Sequence, residues 1–371
     1  ASAASDVYKR QLFDRPFNPS VPILGVIRQR DLQAHESRLD MQAYEAHVRR
    51  PVIDVQNPIF IIGAGYAGAM AARCLTNHGI EVVVIDKGSK VGGRASARSL
   101  EKEHLTHGTA IADAVPAWLN CTLESIFSKE RIKRSGDQLI IDRGPVIIEH
   151  LLRDIQVYCE TKIVSVESSN DEIVLQSDKG KRWSASGVIL TTPLPQSADI
   201  LGEMAPDGWR DGNYESIWSV LFSNDSVIPR SVIKAAQNAG LVAVCGSDNP
   251  SRSLVLHSNS EWSKKHLEKS RSEIVELILD QCRRFADIDA LKWLESSNYQ
   301  GHRWRFARAI RAGTEINIPR IVMAGDAWGK PVGTVGGAIS SGAWAAAELV
   351  FYLSNFSKRG SDIQSSLLDK W

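Results

Sequence analysis

The sequence has no long apolar run and almost no charge imbalance. Its longest apolar stretches, such as residues 59–62 and 82–85, have the length of buried strands, whereas a membrane-spanning helix needs about 20 apolar residues. The 44 lysines and arginines are balanced by 43 aspartates and glutamates, and they form no basic stripe. We therefore expect no membrane span and no nucleic-acid partner.

Paired cysteines are also lacking, since the five cysteines are odd in number and no two stand in a CxxC pair. We expect no metal centre and no disulfide framework, and we interpret the cysteines as reduced core residues of a protein in the cytoplasm or another reducing compartment. The 371 residues are 43% hydrophobic, which is typical of a globular chain with two domains. The cysteines are Cys74, Cys121, Cys159, Cys245 and Cys282.

The first 57 residues differ in character from the remainder of the chain. Residues 1–11 resemble the translation of sequencing-adapter DNA, and residues 28–50 are polar, mixed in charge and helical in composition. The apolar core and cleavage site of a signal peptide are missing. Residues 1–57 are therefore interpreted as an artefactual or disordered stretch or as an extension, and the sequence does not choose between these.

A sharply periodic pattern begins at residue 58 and predicts a strand, a glycine turn, a helix and a second strand. Gly63, Gly65 and Gly68 come after the first strand at the spacing GxGxxG. The first glycine permits the tight turn, the second lets the backbone approach a diphosphate, and the third lets the helix pack closely on the strand. Asp86 ends the second strand, where an acid accepts hydrogen bonds from a ribose. The pattern predicts a dinucleotide-binding βαβ unit.

The segment Val91-Gly92-Gly93-Arg94 resembles the amine-oxidase branch of the glutathione-reductase-like flavoproteins. The resemblance implies FAD as the cofactor, with this loop under its diphosphate; two glycines expose backbone amides and the arginine balances charge. Near the other end, Gly325-Asp326 comes after a buried strand and Gly336-Gly337-Ala338 opens a helix. In the resembled branch this aspartate contacts the ribityl chain or diphosphate, and the helix N-terminus stabilises charge on reduced flavin.

The fold class expected is α/β, a Rossmann-like FAD-binding domain with an inserted α+β substrate domain built on a mixed or antiparallel sheet. Strand-like runs at 162–167, 172–177 and 182–184 predict a small antiparallel sheet. Residues 270–285 are predicted to form a helix. Residues 58–110, 151–195 and 311–353 are assigned to the FAD domain, 111–150 and 196–310 to the substrate domain, and 354–371 to a C-terminal tail.

Within that branch the sequence resembles the renalase-like proteins. Residues 58–371 are similar in length to these proteins, and residues 86–95 resemble their DKG-x-x-VGGR segment. Gly336 departs from the acid that many relatives carry. Further similarities lie in Leu190–Pro195, Leu256–Ser258, Glu261–Ser263 and His302–Ala307, and in His107-Gly108-Thr109-Ala110, which resembles DHGAQ with departures at Thr106 and Thr109.

The resemblance implies a flavoenzyme that oxidises a dihydronicotinamide-like or other small reduced substrate, with hydride transfer to FAD and reoxidation by O2 to hydrogen peroxide. One alternative is an amine oxidase or desaturase-like oxidoreductase, although we identify no lysine placed to orient water near the flavin. A second is a non-catalytic flavin- or nucleotide-sensing module with residues 12–57 as a docking arm. The sequence predicts no oligomeric state.

Because hydride transfer needs no nucleophile, the candidate catalytic residues are groups that position the substrate. His257 leads, since it ends an apolar strand in the substrate region, and Trp304 and Arg305 are the next candidates. The residues expected to contact the cofactor are Gly63, Gly65, Tyr66, Ala67, Gly68, Asp86, Lys87, Gly92, Gly93, Arg94, His107, Gly108, Thr109, Val164, Thr191, Gly325, Asp326, Gly337 and Ala338.

Overall fold

The structure, a computed structural model, describes residues 55–109, 111–112, 132–135, 138–141, 144–169, 172–211, 214–246 and 250–368. Nearly all of the predicted segment 1–57, together with Cys121, lies outside these residues. The domain boundaries drawn from the sequence stay predictions.

The strands and helices succeed one another along the whole described chain. The strands are β1 (Ile59–Ile62), β2 (Val82–Ile85), β3 (Ala97–Leu100), β4 (Glu103–Thr106), β5 (Ile111–Ala112), β6 (Ile132–Ser135), β7 (Gln138–Ile141), β8 (Gln156–Tyr158), β9 (Ile163–Ser168), β10 (Ile173–Ser177), β11 (Arg182–Ala185), β12 (Gly187–Leu190), β13 (Tyr214–Ser223), β14 (Val242–Cys245), β15 (Ser253–His257), β16 (Asn298–Ala309) and β17 (Ile321–Met323). The helices are α1 (Tyr66–Asn77), α2 (Gly144–Leu151), α3 (Leu194–Leu201), α4 (Arg230–Asn238), α5 (Ser260–Lys265), α6 (Arg271–Arg283), α7 (Ile288–Ser296) and α8 (Val335–Leu368).

A five-stranded parallel sheet forms the first part of the fold, in the order β17-β12-β1-β2-β8. Every residue of β1, β2, β12 and β17 is buried, as expected for aliphatic strands covered on both faces. α1 connects β1 to β2 and packs against α8. A Cβ on Gly342 of α8 would lie 2.1 Å from the carbonyl oxygen of Ala67, so small residues permit this close helix contact. The predicted Rossmann-like fold is confirmed.

Between β8 and β12 the chain forms the small antiparallel sheet β11-β10-β9. Ile173, Leu175 and Ser177 of β10 are buried while the residues between them are half-buried, which is the alternation of a sheet covered on one face. The three strands predicted from the sequence are thus confirmed with bounds shifted by at most one residue.

The second part of the fold is built on the antiparallel sheet β14-β15-β13-β16. On one face Trp218, Phe222 and Leu254 pack with residues of α4, α6 and α7. On the other face Leu221 and Val255 pack against Leu105 of the β3–β4 hairpin. α6 begins at a capping box in which Ser270 and Glu273 satisfy each other's backbone amides. The sheet therefore places one face toward helices and the other toward the hairpin that comes after the Gly92-Gly93 loop.

Two expectations differ from the structure. The helix predicted to open at residues 336–338 begins one residue earlier, at Val335, and ends at Leu368. Cys74 and Cys282 are buried as predicted, but Cys245 is exposed and Cys159 half-buried, so the description of all cysteines as core residues is wrong. In the part of the chain that the structure describes, no helix has both the length and the apolar character needed to cross a bilayer.

Candidate active site

A cavity of about 1090 Å³ lies at the carboxyl ends of the parallel strands. Residues just after β1, β2, β12 and β17 line one side of it, and β3 and β16 line the other. Ligands of open α/β sheets bind at this edge. The cavity therefore joins the predicted nucleotide side to the antiparallel sheet.

The glycine turn after β1 has the steric properties expected of a dinucleotide cradle. Gly63 has φ +113°, and a Cβ there would lie 2.4 Å from Oγ1 of Thr191. A Cβ on Gly68 would lie 1.9 Å from the carbonyl oxygen of Gly63, so this glycine lets α1 pack on the turn. A Cβ on Gly65 would have only the Cα of Gly93 within reach, at 4.0 Å, and Gly65 lines the cavity. The turn is closed toward the protein and open toward the cavity.

The second glycine loop touches the first. Gly92 has φ +129° and donates its amide hydrogen to the carbonyl oxygen of Ala64 at 2.9 Å. Gly93 has φ +53°, and a Cβ there would lie 3.2 Å from the Cα of Gly65. Side chains at these positions would fill the groove between the loops. The bare backbone on both sides of the groove fits the diphosphate of FAD.

Asp86, just after β2, joins the first glycine turn to the segment that comes after β2. Its Oδ2 accepts a hydrogen bond from the amide of Ala64 at 2.6 Å, and Oδ1 accepts one from the amide of Gly88 at 2.7 Å. A carboxylate oxygen has more than one acceptor site, so Asp86 is still able to accept from a hydroxyl. Lys87 next to it donates to Oε1 of Gln196 at 3.0 Å, and burial lowers its pKa. The ribose contact predicted for Asp86 stays a prediction.

Arg94 and Asp326 are bonded to each other. Nη1 and Nη2 of Arg94 donate to the two carboxylate oxygens at 2.8 and 2.7 Å, and the amide of Ala309 donates to Oδ2 at 2.8 Å. Burial disfavours the charge on Arg94, but the carboxylate outweighs that effect and holds the pKa of Arg94 above its usual range. The sequence assigned both side chains to the cofactor without anticipating this pair. Since both line the cavity, the pair presents a fixed polar surface.

Tyr66 supplies a further indication that the cavity takes a ligand. Its side chain is buried and lines the cavity, yet its hydroxyl has no hydrogen-bond partner among the described residues. Burial raises the pKa of this hydroxyl, which therefore stays protonated. An orphaned buried hydroxyl is costly unless a ligand or water completes it.

Most residues predicted to contact the cofactor line the cavity, and three do not. Gly68, Gly108 and Gly337 lie against protein backbone: a Cβ on Gly108 would be 1.9 Å from the carbonyl oxygen of Arg94, and one on Gly337 2.3 Å from that of Pro331. These glycines permit close packing rather than ligand contact. The predicted residues on the cavity wall are Gly63, Gly65, Tyr66, Ala67, Asp86, Lys87, Gly92, Gly93, Arg94, His107, Thr109, Val164, Thr191, Gly325, Asp326 and Ala338.

At the antiparallel sheet the cavity ends in a wall of three rings, His107, His302 and Trp304, which we call the ring wall. The His107 ring is 4.5 Å from His302, perpendicular to it, and 5.0 Å from Trp304, stacked on it. Nε1 of Trp304 donates to the carbonyl oxygen of His107 at 3.0 Å. The ring wall is therefore a rigid, mostly apolar surface with polar edges.

The two imidazoles of the ring wall are uncharged at neutral pH. Burial lowers the pKa of His107 to about 3, helped by the nearby His302 and Arg98. Burial also lowers the pKa of His302 to about 4, with Arg98 and Arg271 adding to the effect. Nδ1 of each ring is buried without a hydrogen-bond partner among the residues described. The wall carries no charge of its own.

His257, the leading candidate from the sequence, does not line this cavity. It lies across from Ser219, which in turn lies across from His302, in one row over β15, β13 and β16. Its Nδ1 is 2.8 Å from Oγ of Ser219, and burial lowers its pKa to about 4. One strand, β13, therefore lies between His257 and the ring wall. His302, which was not singled out from the sequence, occupies the cavity side of the same row.

Trp304 and Arg305 have different positions. Trp304 belongs to the ring wall, whereas Arg305 lies at the rim, 42% exposed, and donates to Oε1 of Glu268 at 2.7 Å. Arg303 pairs with the same glutamate at 3.2 Å. Alternation along β16 therefore turns the indole inward and the two arginines outward.

The fold and this cavity define a dinucleotide-binding flavoprotein of the oxidoreductase class. A family model described as flavin containing amine oxidoreductase matches residues 119–350, and one described as NAD(P)-binding Rossmann-like domain matches residues 61–120. The chain belongs to the flavin containing amine oxidoreductase family. It is an FAD-dependent oxidoreductase.

Solved structures of putrescine oxidase have the same fold. The wild type bound to putrescine is 14% identical, with 80% of this chain and 99% of that chain covered and a TM-score of 0.59. A triple mutant, from a redesign of cofactor binding, is 13% identical, with 79% and 98% covered and a TM-score of 0.59. At this identity the likeness concerns the fold alone.

Proposed function

We propose that this protein oxidises a small dihydronicotinamide-like substrate and reduces O2 to hydrogen peroxide. The observation that carries the proposal is the ring wall, whose His107, His302 and Trp304 offer uncharged rings to a planar substrate. Of the acids that line the cavity in the described residues, Asp86 and Asp326 are already hydrogen-bonded, and Asp199 lies 3.6 Å from Arg210. The wall thus suits a neutral aromatic ring better than a protonated amine.

Bound FAD would supply the two-electron redox chemistry that links oxidation of the substrate carbon to reduction of O2. The balance is one dihydronicotinamide, one proton and one O2 giving one nicotinamide cation and one hydrogen peroxide. The chain binds and orients the substrate and excludes water. Gly65, Gly93 and Asp86 would hold the nucleotide part of the cofactor, and the ring wall would hold the substrate ring. Because neither imidazole of the wall is protonated, the wall does not repel the cation that forms.

Oxidation of an amine is the second candidate, since the family takes its description from this reaction and putrescine oxidase has the same fold. An amine substrate would enter as a cation and lose a proton before oxidation. In the described part of the cavity no free carboxylate faces the ring wall to bind such a cation. The amine hypothesis therefore depends on residues that the wall does not supply.

Anaerobic titration of the purified flavoprotein tests the proposal. NADH, NADPH, their dihydronicotinamide isomers and a set of mono- and diamines are added in turn, and loss of the flavin absorbance is monitored. We expect one or more dihydronicotinamides to bleach the flavin and the amines to leave it oxidised. Bleaching by amines alone would overturn the proposal, and slow reoxidation by O2 after bleaching would instead favour a sensing module.

A further inference from the structure

Arg98 occupies an unusual position beside the ring wall. It lies on β3, lines the cavity and is partly buried. Neither an ion pair nor a side-chain hydrogen bond joins it to any residue that the structure describes. The other cavity arginines differ, since Arg94 pairs with Asp326, Arg303 and Arg305 pair with Glu268, and Arg308 pairs with Glu215. Among the described residues, Arg98 is thus a guanidinium at the cavity without its own carboxylate.

A second arginine, Arg271, adds its charge to the surroundings of Arg98, although it does not line the cavity. Arg271 is the first residue of α6, and its Cβ would be 3.4 Å from a Cβ built on Gly301, the residue before His302. In the described chain Arg271 also has no acidic partner. Burial and the charge of Arg271 both lower the pKa of Arg98, so the two cations oppose each other. Two like charges without acidic partners among the described residues are unfavourable until an anion joins them.

We propose that Arg98, assisted by Arg271, binds an oxyanion of the substrate whose ring rests on the ring wall. The substrate would then be an anionic dihydronicotinamide, carrying a phosphate or a carboxylate, rather than a neutral riboside. A guanidinium donates two parallel hydrogen bonds to either group, which fixes orientation as well as affinity. The same pair repels a diamine. This inference rests on the proposed function and names the substrate class of that site.

Binding of oxidised ligands to the holoenzyme tests the inference without turnover. Nicotinamide mononucleotide carries a phosphate, nicotinate riboside a carboxylate, and nicotinamide riboside neither; each is titrated while the flavin absorbance is monitored. We expect the mononucleotide or the nicotinate to bind about tenfold to a hundredfold more tightly than the riboside. The tighter of the two identifies the oxyanion. Equal dissociation constants for all three in the wild type would overturn the inference.

Substitutions of single arginines test whether Arg98 is the residue that binds the anionic group. Arg98→Gln should remove the preference by weakening the anionic ligand, and it should not weaken the riboside, which carries a positive charge on its pyridinium ring. Arg98→Lys should keep part of the preference. Arg283→Gln, at the other end of α6 and paired with Asp280, is the matched control and should bind like the wild type. A preference that survives in Arg98→Gln would contradict the assignment. If dihydronicotinamide riboside reduces the flavin but no anion preference exists, the proposed function stands and only this inference fails.

Discussion

Arg94 and Asp326, separated by 232 residues of sequence, meet through two parallel hydrogen bonds. The pair joins the second glycine loop to the end of β17, and Asp326 also accepts from the amide of Ala309 at the end of β16. Three distant segments therefore meet at one carboxylate, beside the cavity. The position of the glycine loop depends on that carboxylate.

Asp326→Asn should lower both stability and cofactor content. The amide cannot replace two charged hydrogen bonds and leaves a largely buried guanidinium without its counter-charge; for a pair that is 26% and 8% exposed we expect a loss of about 2 kcal/mol. The melting temperature should fall by roughly 5 °C. Calorimetry and the ratio of FAD to protein measure the two effects.

Glu167→Gln is the matched control for Asp326→Asn. It makes the same change in the exposed Glu167–Arg182 pair, whose side chains are 65% and 57% exposed. Exposed ion pairs contribute little to the free energy of unfolding, so the control should have the melting temperature of the wild type. Equal melting temperatures for both variants would show that the Arg94–Asp326 pair does not position the loop.

Gly63→Ala should abolish FAD binding, because the new Cβ would lie 2.4 Å from Oγ1 of Thr191, which itself donates to the carbonyl oxygens of Ile62 and Gly63. Gly180→Ala is matched, since Gly180 also has a positive φ but nothing within 4 Å of the added Cβ. It should cost only about 1 kcal/mol of backbone strain. Flavin absorbance per mole of each purified variant separates the outcomes, and equal content would refute the steric role of Gly63.

Stability should fall as pH decreases from about 6.5, and His107 should account for part of the slope. Its pKa in the folded protein is about 3, so the folded chain stays neutral while the unfolded chain takes up a proton below 6.5. The loss approaches about 1.4 kcal/mol per pH unit for this buried histidine. Melting temperatures between pH 7.5 and 5 test this prediction: His107→Gln should have a shallower slope than the wild type, and an unchanged slope would contradict the role of His107.

Trp304→Phe should retain FAD but lower kcat/KM for a dihydronicotinamide about five- to tenfold. The phenyl ring loses the hydrogen bond to the carbonyl oxygen of His107 and part of the stacking area, so the ring wall holds the substrate less firmly. Stopped-flow reduction of the flavin measures the change. Trp183→Phe, next to Phe60 and outside the cavity, should react at the wild-type rate; a Trp304→Phe enzyme that does the same would argue against the wall as the substrate site.

The nucleotide side of the site could be predicted from the sequence because its information is local. Gly63, Gly65, Gly68 and Asp86 lie within 24 residues, and the turn, helix and strands around them can be inferred from spacing alone. Each glycine lies where its missing side chain matters. The same holds for the buried strands, whose aliphatic runs admit few alternatives.

The substrate side could not be predicted in the same way because it depends on strand register. His257, Ser219 and His302 form one row only after β15, β13 and β16 pair, and no local pattern selects His302 over His257. Arg98 likewise lies in a polar stretch of sequence, where nothing distinguishes it from a solvent-exposed arginine. β16 was not predicted as a strand, although Arg303, Trp304 and Arg305 alternate in polarity; the pairing of its outward arginines with Glu268 appears only in the folded chain.

A crystal structure of the protein purified with its flavin tests the central claim most directly. The account predicts the diphosphate of FAD in the groove between Gly65 and Gly93 and the flavin ring in the same cavity, facing His302 and Trp304. Flavin density away from that wall, or a diphosphate that contacts neither glycine, would contradict it.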